Sequence, residues 1–272
     1  MTATTLVGEH RTVRLGDLDV AYTAAGSGDR PVVLLHGLAE DRRTWTRQQR
    51  ALDGFRTYAY DLRGHGKSTL GDADGTLAQL GTDLLSFLEE VTGPATCVGF
   101  SLGGTVVLWA AAQRPDLVRH AVVVGTSTVV GRAAVGFYDD RIDRAERGDR
   151  AAVEEALRAD TVGALVTADR AEEILARRME AVGNLGGYLN GARAMRALRD
   201  DPLTPRLTAI TSPVDVVGAD RDAFCPRKAA DIILEALPHA RYHEVADAGH
   251  LVNVDQPDVL TAVLRTTLKM ED

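Results

Sequence analysis

The chain has 272 residues, 45% hydrophobic and 26% charged, with 31 basic against 39 acidic side chains and a formal net charge of −8. That length holds one large domain or two small ones, with a core that needs no covalent staples. The acidic balance argues against a nucleic-acid or anionic-membrane surface, and two cysteines, Cys97 and Cys225, are too few for a disulfide framework.

In chain order, MTATTLVGEHRTV lacks the basic start and apolar stretch of a signal peptide, so a cytoplasmic protein is expected. No apolar run reaches membrane-spanning length. HRTVRL and LDVAYTAAG alternate apolar and polar residues about a Gly-Asp turn, which predicts antiparallel strands. Continuous apolar runs then occupy residues 31–37, 56–64, 95–101, 120–127, 212–220 and 240–250. Such runs suit strands covered on both faces. Helix-like segments alternate with them at 43–52, 77–91, 102–113, 227–237 and 257–269. The alternation builds right-handed βαβ units, hence an α/β fold with a mostly parallel sheet. From about Thr128 to Leu207 the rhythm stops, and amphipathic, charged helices broken by Gly and Pro take over. The reading is a core of 1–127 and 208–272 interrupted by a helical insertion, 128–207. Open parallel sheets bind ligands beyond their strands' carboxyl ends, so the insertion is expected there as a cap; a separate structural subdomain is the alternative.

Gly99-Phe100-Ser101-Leu102-Gly103 has the form G-x-S-x-G between an apolar run and a helix-forming run. A sharp strand-to-helix turn leaves no room for side chains two residues either side of its apex, and it lifts the serine hydroxyl to a helix N-terminus. Serine is a weak nucleophile that needs a base, and the base needs an orienting acid. Of seven histidines, His250 lies in a loop after the last strand-like run, where it can reach the serine. Asp220 and Asp222, in ADRDAFCP after the preceding strand, are the candidate acids. The chain order Ser…Asp…His is that of an α/β hydrolase.

On these residues the chain resembles the α/β-hydrolase-fold enzymes over nearly its whole length. His36-Gly37 with Trp45 downstream looks like the oxyanion loop, and Asp61 to Ser68 like the loop D-x-R-G-x-G-x-S. Gly99 to Gly103 looks like the nucleophile elbow, and Gly249-His250 with Asn253 and Gln256-Pro257 like the histidine loop. The resemblance implies an eight-stranded, mostly parallel sheet flanked by helices, with the cap inserted after strand 6. It implies Ser101, Asp222 and His250 as the catalytic residues, with Leu38 and Leu102 donating oxyanion-hole amides. Asp222 is preferred over Asp220 because it stands four residues before Pro226, as the family's acid often does. Trp45, Phe100, Phe137 and Tyr138 are candidate pocket walls, with core packing the alternative. The implied substrate is a small-molecule ester or lactone, as in small capped esterases and enol-lactone hydrolases. Carbon–carbon hydrolysis, perhydrolysis, or a non-hydrolytic biosynthetic or ligand-binding role are the rivals.

Several motifs mislead. GHGKS lacks the glycine a phosphate loop needs, since Asp61 stands at that position. Asp61 and Arg63 are expected to pair and tie their loop together. The arginine-rich stretches RRME and GARAMRALR could hold an anion, but interleaved acids point to solvated helix faces. No metal and no cofactor are expected, and no nucleic-acid or membrane partner; a homodimer is left open.

Overall fold

The computed structural model describes residues 8–52 and 54–269; the first seven residues, on which part of the leader reading rests, lie outside the described residues. Strands β1 (Glu9–Leu15) and β2 (Leu18–Ala25) form a hairpin whose two-residue turn begins at Gly16, at a φ of 56° that suits glycine. Then follow β3 (Pro31–Leu35), α1 (Thr46–Ala51), β4 (Arg56–Tyr60), α2 (Leu77–Phe87), β5 (Ala95–Phe100), α3 (Leu102–Gln113) and β6 (Val118–Val124). Helices α4 (Arg132–Glu146), α5 (Arg150–Gly163), α6 (Ala171–Ala181) and α7 (Gly186–Ala197) come next. The alternation resumes with β7 (Val214–Ala219), α8 (Arg227–Ala236), β8 (Arg241–Val245), α9 (Val252–Asp255) and α10 (Pro257–Lys269). The eight strands make one sheet in the order β1-β2-β4-β3-β5-β6-β7-β8. β2 runs antiparallel to β1 and to β4, and every other pairing is parallel.

The period-two strands feed two cores. Val33, Leu35, Cys97 and Val123 join Leu84, Phe87, Val107 and Ile233 of α2, α3 and α8 on one face. Val32, Leu34, Val98 and Val122 join Leu260, Leu264 and Leu268 of α10 on the other. Burial on both faces explains why these strands read as unbroken apolar runs.

Between β6 and β7 the four inserted helices have a small core of their own, including Val153, Leu157, Leu175 and Tyr188. They also share the main one, since Ala194, Met195 and Leu198 belong to the sheet's own cluster. Backbone hydrogen bonds stitch the insertion to loops at the strands' carboxyl ends. Leu251 N–H donates to the Ala164 carbonyl at 3.0 Å and Gly66 N–H to that of Ala181 at 2.9 Å. Val166 N–H reaches Asp255 Oδ2 at 3.1 Å, and the same oxygen accepts Gly249 N–H at 2.8 Å. Among the described residues, no helix is long and apolar enough to cross a membrane.

Candidate active site

The loops after β3, β4, β5, β7 and β8 converge at one rim of the sheet. Ser101 follows β5 at φ 52° and ψ −118°, a backbone conformation that L side chains rarely adopt. The glycines around it explain how the turn closes. A Cβ at Gly99 would lie 2.3 Å from the Gly103 carbonyl oxygen, and one at Gly103 would lie 2.6 Å from the oxygens of Leu35 and His36. A Cβ at Gly104 would strike Thr126 Oγ1 at 1.9 Å, so a third glycine, which the G-x-S-x-G pattern does not include, is required as well.

The serine hydroxyl lies 3.1 Å from His250 Nε2, and His250 Nδ1 lies 2.8 Å from Asp222 Oδ2. The other Asp222 oxygen accepts the backbone N–H groups of Phe224 and Cys225, each at 2.8 Å. Burial works to raise this carboxyl, but the His250 charge and hydrogen bond, with those two amides, hold it below the usual carboxylate range. Asp220 faces elsewhere: its Oδ1 accepts Ala248 N–H at 3.2 Å and braces the turn before the histidine.

Leu38 and Leu102 flank the serine, and their side chains meet over Gly191 of α7, where an added Cβ would lie 2.7 and 2.9 Å from them. Neither backbone N–H has a hydrogen-bond partner among the described residues. The Leu38 peptide is fixed through its neighbour. Leu62 N–H donates to His36 Nε2 at 2.9 Å, so the proton of this ring sits on Nδ1, which donates to the Gly37 carbonyl at 2.8 Å. Burial drives the His36 pKa down to about 3, which keeps the ring neutral for this double role. Because the Gly37–Leu38 peptide is planar, anchoring its C=O on one side aims its N–H to the other.

Above the serine lies a cavity of about 770 Å³, roofed by the inserted helices. Phe100, Phe137 and Tyr138 are among the residues that line it. Trp45 does not: it is 1% exposed and packs among Leu34, Leu52 and Leu264 below the sheet, which corrects its assignment as a pocket wall. Sequence reasoning missed Phe224, whose ring lies 5.3 Å from that of His250 and 5.9 Å from that of Phe137. Its place between Asp222 and Pro226 was the available signal. Cys225 also lines the cavity, with its thiol pushed well up by burial.

Two further expectations are corrected. Asp61 and Arg63 do not pair with each other. Asp61 takes Arg42 and the Lys67 N–H, whereas Arg63 grips Asp83 at 2.7 Å and Asp17 at 2.8 Å. RRME is not a wholly solvated face, because Arg178 within it is buried against the cavity. Asp215, an acid in an otherwise apolar strand, accepts from His120 and His243 at 2.6 Å and from Arg241 at 2.7 Å, at the sheet end opposite the serine.

Residues 30–257 match the family model described as alpha/beta hydrolase fold, and the chain belongs to that family. It is a hydrolase. It is 27% identical over 261 residues to 3-oxoadipate enol-lactonase 2 of Acinetobacter baylyi, covering 95% of this chain and 96% of that one. Among solved structures, a hydrolase from Pseudomonas aeruginosa superimposes with a TM-score of 0.84 at 26% identity, covering 96% of this chain and 98% of that one. An enol-lactonase from Burkholderia xenovorans superimposes with a TM-score of 0.86 at 24% identity, covering 95% of this chain and all of that one, a likeness of fold.

Proposed function

We propose that this hydrolase cleaves a small-molecule carboxylic ester or lactone through an acyl-enzyme on Ser101. The observation that carries the reading is the unbroken hydrogen-bond chain from Ser101 through His250 to Asp222, at the floor of a largely apolar cavity. His250 Nε2 takes the hydroxyl proton as Ser101 Oγ attacks the carbonyl carbon. Asp222, anionic at neutral pH, keeps the other ring proton on Nδ1 and stabilises the imidazolium. The amides of Leu38 and Leu102 receive the developing oxyanion. The imidazolium then protonates the departing alkoxide, which remains tethered if the substrate is a lactone. Water enters, His250 removes its proton as the oxygen attacks the acyl carbon, and the imidazolium then returns that proton to Ser101 Oγ as the acid leaves. The inserted helices act as a cap that limits water during the first half of this cycle.

A fluorophosphonate probe should label the wild-type chain and leave Ser101→Ala unlabelled, and a panel of p-nitrophenyl esters and lactones then ranks substrates. A folded wild-type chain that takes no label would end the reading. Product analysis separates ester cleavage from peracid formation with peroxide and from carbon–carbon cleavage.

A further inference from the structure

Resting on that serine-hydrolase reading, we infer that the substrate carries a free carboxylate and that Arg178 of α6 binds it. Arg178 is 9% exposed and lines the cavity that holds Ser101 and His250. Its Nη1 donates to Thr161 Oγ1 at 2.9 Å, and the Thr161 hydroxyl is itself committed to the Leu157 carbonyl at 2.6 Å. Nε is buried without a partner, and among the described residues neither Nε nor Nη2 makes a hydrogen bond. That unpaired edge of the guanidinium is one that grips a carboxylate with two parallel hydrogen bonds.

Neighbouring arginines of the insertion are differently placed. Arg141 holds Asp160, Arg158 holds Glu172, and Arg177 holds Glu173. Arg178 has no carboxylate in ion-pair contact among the described residues. Burying an uncompensated guanidinium is costly, and an anion arriving in the cavity removes that cost. Of the cavity's other charges, Asp160 is taken by Arg141, and Lys228 is an exposed, strongly hydrated ammonium that selects an anion less sharply than a buried guanidinium. The rival counter-charge is Glu40, which shares with Arg178 the wall of a smaller cleft of about 380 Å³. Glu40 Oε2 accepts the Thr44 hydroxyl at 3.1 Å and, more loosely, Gly37 N–H at 3.4 Å. Burial works to raise this carboxyl and the Arg178 charge works against it, but no hydrogen bond or ion pair joins the two side chains among the described residues. With a formal charge of −8, the molecule at large repels anions. Selection of one therefore needs a local cation in a site of low dielectric.

Monomethyl succinate, glutarate and adipate, compared with their dimethyl esters, test the inference. Wild type should favour the half-esters. Arg178→Gln should lose about 100-fold in kcat/KM on them and change little on the diesters, while Arg178→Lys keeps part of the preference. Equal or better cleavage of the diesters by wild type, or an equal fall on both series in Arg178→Gln, overturns it. If circular dichroism finds Arg178→Gln unfolded, the wild type decides alone: glutarate should inhibit p-nitrophenyl acetate cleavage competitively and glutaramide should not. Equal inhibition by both, or by neither, overturns the inference. Fluorophosphonate labelling reports on Ser101 separately, so these failures leave the serine-hydrolase reading standing, and loss of labelling strikes that reading instead.

Discussion

Asp220 and Asp222 differ by two positions and by everything around them. One braces a turn from the surface, and the other is buried with both oxygens engaged. Asp222→Asn should lower kcat by about 10⁴-fold, because an amide no longer holds the imidazole in the tautomer that accepts the serine proton. Asp220→Asn should stay within about twofold, as a surface change away from such features; steady-state kinetics on one ester reads both. His36→Ala should lower kcat by about 100-fold with KM nearly unchanged, since in the proposed mechanism His36 acts on the transition state through the Leu38 peptide. A matching rise in KM would instead mark a general collapse of the pocket. The residues alone left Asp220 and Asp222 open; the choice of Asp222 came from the resemblance, whose acid often stands four residues before a proline, and Asp222 is the one that meets His250. Arg178 was not legible. Successive residues on a helix are turned by about 100°, so Arg177 reaches water and Glu173 while Arg178, its neighbour in RRME, turns inward.

Among elements, the turn from β5 into α3 is the most tightly specified. A methyl at Gly103 would meet backbone oxygens of β3 and the loop after it, which have nowhere to go. Gly103→Ala should cost about 1–3 kcal/mol as overpacking, read as a fall in the urea midpoint at constant slope. An unchanged midpoint would mean that the turn has slack the geometry denies. The elbow's geometry was legible because strand, turn and helix are contiguous. The Asp215 cluster was not, because it depends on register: Asp215 faces Arg241 across β7 and β8, and His120 enters from β6. Ion pairs made beyond the strand ends, like that of Asp61 with Arg42, likewise leave no periodic trace in the chain.

For the molecule as a whole, the shared core predicts one unfolding event. Trp45 lies in the core below the sheet and Trp109 of α3 packs against the other core, which the inserted helices share, so tryptophan fluorescence and far-UV circular dichroism should give coincident denaturant midpoints. Stability should also depend on acid in a defined direction. Burial works to raise Asp215, but hydrogen bonds from His120, Arg241 and His243 hold it well below the usual carboxylate range. A group lowered in the folded state stabilises above its unfolded pKa of about 3.9, and that contribution fades as pH falls towards the folded value. Asp215→Asn should therefore cost about 3 kcal/mol at neutral pH, with the gap to wild type narrowing below about pH 4 in thermal melts. A gap that stays constant down to pH 3 would refute this. The stitching of Ala164 and Val166 to the histidine loop has a consequence for selectivity. On the proposed mechanism, an oversized acyl group that forces the roof outward drags on the segment bearing His250, so misfit should register as slow turnover before it registers as weak capture.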